Sequence, residues 1–103
     1  MTETTETPVL DLLAKMTTDS LEASSLDPKS LMLVRLAALV AVDAPPASYL
    51  TNLGMAAETG VDIDDVRGVL AAVAPIVGSP RVAEATGNIV RVLALALETP
   101  DEA

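Results

Sequence analysis

A chain of 103 residues with no cysteine and no histidine excludes thiolate nucleophiles, imidazole acid–base catalysis and most tight transition-metal sites. Fifteen acids against six bases give a net charge of −9, which argues against nucleic acid, whose binding rests on phosphate neutralisation, and against an anionic membrane surface. The length suits one domain, yet half the residues are apolar and Tyr49 is the one aromatic, so the expected core is one of small aliphatics, with some faces covered by another subunit.

Residues 1–7 are a Thr/Glu run that reads as a disordered tail, and residues 98–103 read as a frayed end. The acidic N-terminus has no secretory character, and the missing cysteines fit a cytoplasmic protein. Between the tails, residues 8–97 carry helix signals and no strand pattern. Helix one begins near Pro8, with Val9, Leu12, Leu13 and Met16 at helical spacing; Thr17-Thr18-Asp19-Ser20 is a candidate to interrupt it or to recap a short turn through Leu21. Helix two opens at Asp27-Pro28, an acceptor at the N-cap followed by proline at the first helical position. It runs through Leu31–Val42, apolar nearly all round, which marks a central helix. That apolar run holds Arg35 and falls short of the roughly 20 residues of a membrane span.

Helix three starts at Pro45-Pro46, carries Tyr49, Leu50, Leu53, Ala56 and Ala57, and ends at Gly60, a natural C-terminal cap. Helix four opens at Asp62, with Asp64 and Asp65 at its positive end, and buries Val66, Val69, Leu70, Val73 and Ala74. Pro75 is expected to bend or end it, and Gly78 to break the chain. Ser79-Pro80 repeats the cap-plus-proline device. Helix five then runs to about Leu97, with Val82, Ala85, Ile89, Val90, Leu93 and Leu97 inward. Gly87 in its interior costs about 1 kcal/mol relative to alanine, which close approach to another backbone would offset.

Two stretches carry a resemblance. One is Leu26-Asp-Pro-Lys-Ser-Leu-Met-Leu-Val-Arg-Leu-Ala-Ala38. The other runs from Leu53-Gly-Met-Ala-Ala-Glu-Thr-Gly-Val-Asp-Ile-Asp-Asp-Val66 to Val73-Ala-Pro-Ile-Val-Gly-Ser-Pro-Arg-Val82. Together, over about residues 26–97, they resemble the carboxymuconolactone decarboxylase family, which includes the alkyl hydroperoxidase D-like proteins. The resemblance implies an all-α domain of about five helices that assembles into trimers or hexamers. In its redox branch, cysteines would stand at Pro45 and Ser48, a histidine at Asn52, and an upstream glutamate at Met32 or Leu33. The decarboxylase branch tends to carry a glutamate near Ser48 and a histidine at Asn52. All these positions are substituted here. Proline and serine cannot supply a peroxide-reducing thiolate or its resolving partner, so fold and assembly are expected to carry over and the thiol peroxidase chemistry is not.

The pocket of such a fold would be lined by the start of helix three and faced by helices two and five. Its candidate polar groups are Arg35, Ser48, Tyr49 and Asn52, with Thr51, Asn88 and Arg91 nearby. Arg35 reads as a clamp for a ligand carboxylate, or as the partner of Asp43 or Glu84, or as an interface residue, because a guanidinium is costly to bury unpaired. Asn52 would bond a ligand or satisfy backbone. Tyr49 would serve as an acid–base phenol only with a strongly shifted pKa; otherwise it anchors core or interface. Asp62, Asp64 and Asp65 lack the calcium-loop pattern and read as helix N-terminal charges. No metal and no cofactor is expected. The leading functional expectation is an oligomeric small-molecule- or protein-binding module that has lost catalysis. The alternatives are an enzyme on a small organic acid or lactone using Arg35 with Tyr49 or Asp43, and a structural assembly subunit.

Overall fold

The computed structural model describes residues 7–98, all helix and short links, with no strand among them. The helices are α1 (Pro8–Ala23), α2 (Pro28–Ala41), α3 (Pro46–Glu58), α4 (Ile63–Val77) and α5 (Ser79–Glu98). The tails expected at 1–7 and 98–103 lie outside the described residues, except for two positions. The Thr7 carbonyl accepts from the Asp11 N–H, and Glu98 closes α5.

The caps set the boundaries. Asp27 accepts from the Ser30 N–H at the start of α2. Asp62 and Asp65 exchange side-chain bonds with each other's backbone N–H at the start of α4, a reciprocal cap that satisfies two otherwise orphaned donors. Lys29 approaches Asp65 at 3.3 Å and ties the first turns of α2 and α4 together. The Asp62 N–H, and beyond it Lys29, hold the Asp65 carboxyl below its usual range. The α2 and α3 helices end alike. After α2 the Ala44 N–H reaches back to the Leu39 carbonyl and Asp43 adopts φ 58°. After α3 the Val61 N–H reaches the Ala56 carbonyl and Gly60 takes φ 92°. This is the six-to-one closure with a left-handed residue behind it. In both, the residue past the turn folds back as apolar cover: Ala44 is buried, and Val61 packs on the small cluster of Leu31, Met32 and Ala56.

The central position expected of α2 is found. It packs against α3, α4 and α5. Its Leu36 and Val40 meet Tyr49 of α3, Val66 of α4, and Ala85, Ile89 and Val92 of α5 in the main core. Positions 85, 89 and 92 keep one face of α5 inward. Val90, expected inward, lies on another face and is 60% exposed; the Leu97 side chain lies outside what is described.

Other expectations need correction too. The 17–20 segment does not interrupt α1. Thr18 Oγ1 bonds back to the Ala14 carbonyl and Lys15 pairs with Asp19 at 2.7 Å, so the polar residues are absorbed on an exposed face. The apolar spacing of α1 is helical, but the helix has no buried residue at all. Of the two effects expected of Pro75, bending or ending α4, the second does not occur at that residue: the helix continues two residues further, to Val77, and near its end the proline removes one N–H from the ladder. Gly87 gains no close approach: a methyl group built there meets nothing within 4 Å. Gly87→Ala is therefore expected to stabilise the fold by about 0.5–1 kcal/mol, read as a higher urea midpoint at unchanged slope. A lower midpoint would mean that the position is covered in an assembly.

Candidate functional site

The α3 helix positions the residues that the resemblance singles out. Pro45 stands at its N-cap and Pro46 in its first turn. Both fix φ near helical values where no backbone donor is needed. The spacing of 45, 48 and 52 keeps one helix face. On that face the Asn52 Nδ2 donates to the Ser48 carbonyl at 2.9 Å, and Thr51 Oγ1 donates to the Ala47 carbonyl. The amide that stands at the histidine position is thus partly spent on its own helix.

Two adjoining clefts separate α1 from the body. The first, of about 340 Å³, brings Arg35, Ala38 and Leu39 of α2 together with Asn52 of α3 and with Leu13, Met16, Thr17 and Ser20 of α1. The second, of about 360 Å³, is lined by Ala47, Ser48 and Thr51 beneath Leu10, Leu13, Ala14 and Thr17. Leu13 and Thr17 belong to both. The Arg35 Nη2 donates to the Thr17 carbonyl at 3.3 Å and to the Ser20 hydroxyl at 3.0 Å. Those two bonds pin the middle of α1 over α2. Neither Asp43 nor Glu84 pairs with Arg35; the described ion pairs involve other groups. A guanidinium carries five donors, so most of its fork is left for other acceptors at the edge of the first cleft.

Tyr49 is turned about 100° from Ser48 around α3, into the core. It is wholly buried among Leu36, Val40, Val66 and Ile89 and lines neither cleft. Its hydroxyl reaches no hydrogen-bond partner. Burial, and then the negative charge of Asp43, push its pKa upward, away from the range in which a phenol trades protons at neutral pH. Asn88 is buried in α5 and accepts from Arg91 Nη1 at 3.4 Å; neither residue reaches the clefts. Asp62 and Asp65 serve the α4 cap, and Asp64 pairs with Arg67 at 2.8 Å. No group of three acids able to hold a metal occurs among the described residues, and no helix is long and apolar enough to cross a membrane.

The clefts contain one cation, one side-chain amide and several hydroxyls on largely aliphatic walls. Among the described residues no carboxylate lines either one, so none of them is a carboxylate base placed to activate Ser48 or a water molecule. The residues that sequence reasoning missed are those of α1. Thr17 and Ser20 share a helix flank with Leu13, which was legible from their spacing, but a backbone carbonyl as the partner of Arg35 has no sequence signal.

The family model for the carboxymuconolactone decarboxylase family matches residues 7–88. The chain belongs to this family. The match begins one residue before α1, so the helix that roofs the clefts is part of the family domain, although the resemblance seen in the sequence began only at Leu26. This carboxymuconolactone decarboxylase family member has no cysteine anywhere in its sequence, which removes the thiol peroxidase site of the redox branch. No curated protein and no solved structure matches it.

Proposed function

We propose that this protein is an oligomeric binding module of the carboxymuconolactone decarboxylase family, catalytically emptied, and that its clefts take a small amphipathic carboxylate. The observation that carries this reading is Arg35: a permanent cation at the wall of a cleft whose other described lining residues are uncharged and more than half of them apolar. Its donors not taken by Thr17 and Ser20 are left for a carboxylate, and the cleft it shares with Asn52 has Leu13, Met16 and Leu39 to cover a short hydrocarbon body. Small-ligand sites combine such an apolar lining with a few placed polar groups. The alternative of relocated acid–base chemistry is disfavoured by Tyr49, which is sealed in the core with its pKa raised.

Octanoate and octanol are suitable probes, followed by calorimetry and by the methyl resonances of Leu13, Met16 and Leu39. Octanoate is expected to bind, and Arg35→Met to weaken it about tenfold, the loss of roughly one charge-assisted hydrogen bond, with octanol little affected. Equal octanoate affinity in the variant, or no binding at all, would overturn the carboxylate reading. Hydroperoxide consumption with a thiol reductant is expected to stay at background; turnover would overturn the loss of catalysis.

A further inference from the structure

The α1 helix is held differently from the others. The helices α2 to α5 pack on one another in close pairs, and α1 belongs to none of those pairs. It has no buried residue. Leu13 and Met16 line the first cleft and are still 50% and 56% exposed, so the space beneath α1 is open. From Leu12 to Ala23, the hydrogen bonds that reach another helix among the described residues are the two from Arg35 Nη2. One goes to the Thr17 carbonyl and one to the Ser20 hydroxyl; Lys15 and Thr18 bond within α1. A helix of 16 residues is marginal by itself in water. Much of what keeps α1 in place is therefore this pair of bonds and the Ser24–Asp27 link.

The same nitrogen is the one a carboxylate needs. A guanidinium has two edges that meet both oxygens of a carboxylate, Nε with Nη2 and Nη1 with Nη2. Nη2 belongs to both edges. It has two hydrogens, and two acceptors on α1 already face it. The donors left over, on Nε and Nη1, share no edge and hold one carboxylate oxygen at a time. A two-pronged grip takes Nη2 away from α1. A bond to an ionised acceptor is about twice as strong as one to a neutral acceptor, so the carboxylate prevails over the carbonyl and the hydroxyl.

We infer that α1 is a lid latched by Arg35, and that a carboxylate gripped on both prongs by Arg35 unlatches it. Ser20 is then a positioning residue: its hydroxyl holds Nη2 toward α1 and lowers the affinity of the closed state for a carboxylate. Once unlatched, α1 turns on the Ser24–Asp27 link, and Leu13 and Met16 rest on the hydrocarbon of the ligand instead. The competition rests on the carboxylate reading of the cleft; the latch does not.

Two measurements test it. The first needs no ligand. Amide exchange of residues 8–23 is expected to rise about tenfold in Arg35→Met and in Arg35→Gln, with α2–α5 unchanged. Unchanged exchange in α1 would overturn the lid, because a neighbouring copy or other contacts would then hold the helix. The second is octanoate affinity in a double-mutant cycle. Ser20→Ala is expected to tighten octanoate by roughly two- to tenfold, the range of one neutral hydrogen bond, and to have no effect in an Arg35→Met background. A purely structural Ser20 would weaken octanoate on removal. Weaker or equal binding by Ser20→Ala, or the same gain without Arg35, would overturn the competition. Octanoate that fails to bind the parent chain sinks the carboxylate reading and the competition with it, while the exchange result still decides the lid.

Discussion

Tyr49→Phe is expected to make the protein more stable, by about 1–2 kcal/mol. The side chain has no exposed surface, and its hydroxyl has no partner. A buried polar group without a hydrogen bond carries its full desolvation cost, whereas an apolar group of the same shape carries none. The ring itself is the largest side chain fully enclosed in the core, so Tyr49→Ala should cost about 3–5 kcal/mol through lost transfer energy and the cavity left behind. For a chain of this length the total is about 5–15 kcal/mol, so the alanine variant would stand near the edge of folding. Thermal and urea unfolding of the two variants against the parent check the pair of signs. If phenylalanine destabilises the fold, the hydroxyl has a partner in the assembly. If it leaves stability alone but abolishes an activity, the acid–base reading of Tyr49 returns.

Tyr49 also marks where the sequence was legible and where it stopped being so. Its being the single aromatic in an aliphatic chain pointed to an anchor role, and the helical spacing around it placed it on α3. Spacing does not say which face meets the core, and the pocket assignment put Tyr49 beside Ser48, whereas the step of about 100° between them sends Tyr49 into the core and leaves Ser48 on the second cleft. The boundaries were readable because they rest on local chemistry: Asp27 and Asp62 accept from the first turns, and Gly60 takes the left-handed turn. Asp43, which plays the same part after α2 with φ 58°, was not readable, because aspartate occurs in many other settings. The apolar rhythm of α1 was visible, but periodicity reports that a face wants cover and not whether the same chain provides it. Of the site, Arg35 and Asn52 do meet at one cleft. Their roof could not be foreseen, because it depends on where the Ser24–Asp27 link aims α1.

Gly78→Ala is expected to cost about 1–3 kcal/mol. Two helices meet at this one residue. The Gly78 N–H gives α4 its last bond, to the Ala74 carbonyl at 2.9 Å, and the Gly78 carbonyl accepts the first bond of α5, from the Val82 N–H at 3.2 Å. A corner that short requires φ 90° and ψ 156°, a region open essentially to glycine alone. Space is not the obstacle: a methyl group at Gly78 would meet only the Pro80 ring, at 3.8 Å, an ordinary contact. The cost is therefore one of backbone conformation, and relief would come by swinging α5 against α4. That swing would separate Val66 from Ile89, which the main core holds together. In a domain of this size each kcal/mol moves the melting temperature by about 4–8 °C, so the variant should melt well below the parent. Gly87→Ala is the internal control, the same chemical change in an open helical position with the opposite expected sign. Equal shifts in both variants would mean that the α4–α5 corner relaxes without strain.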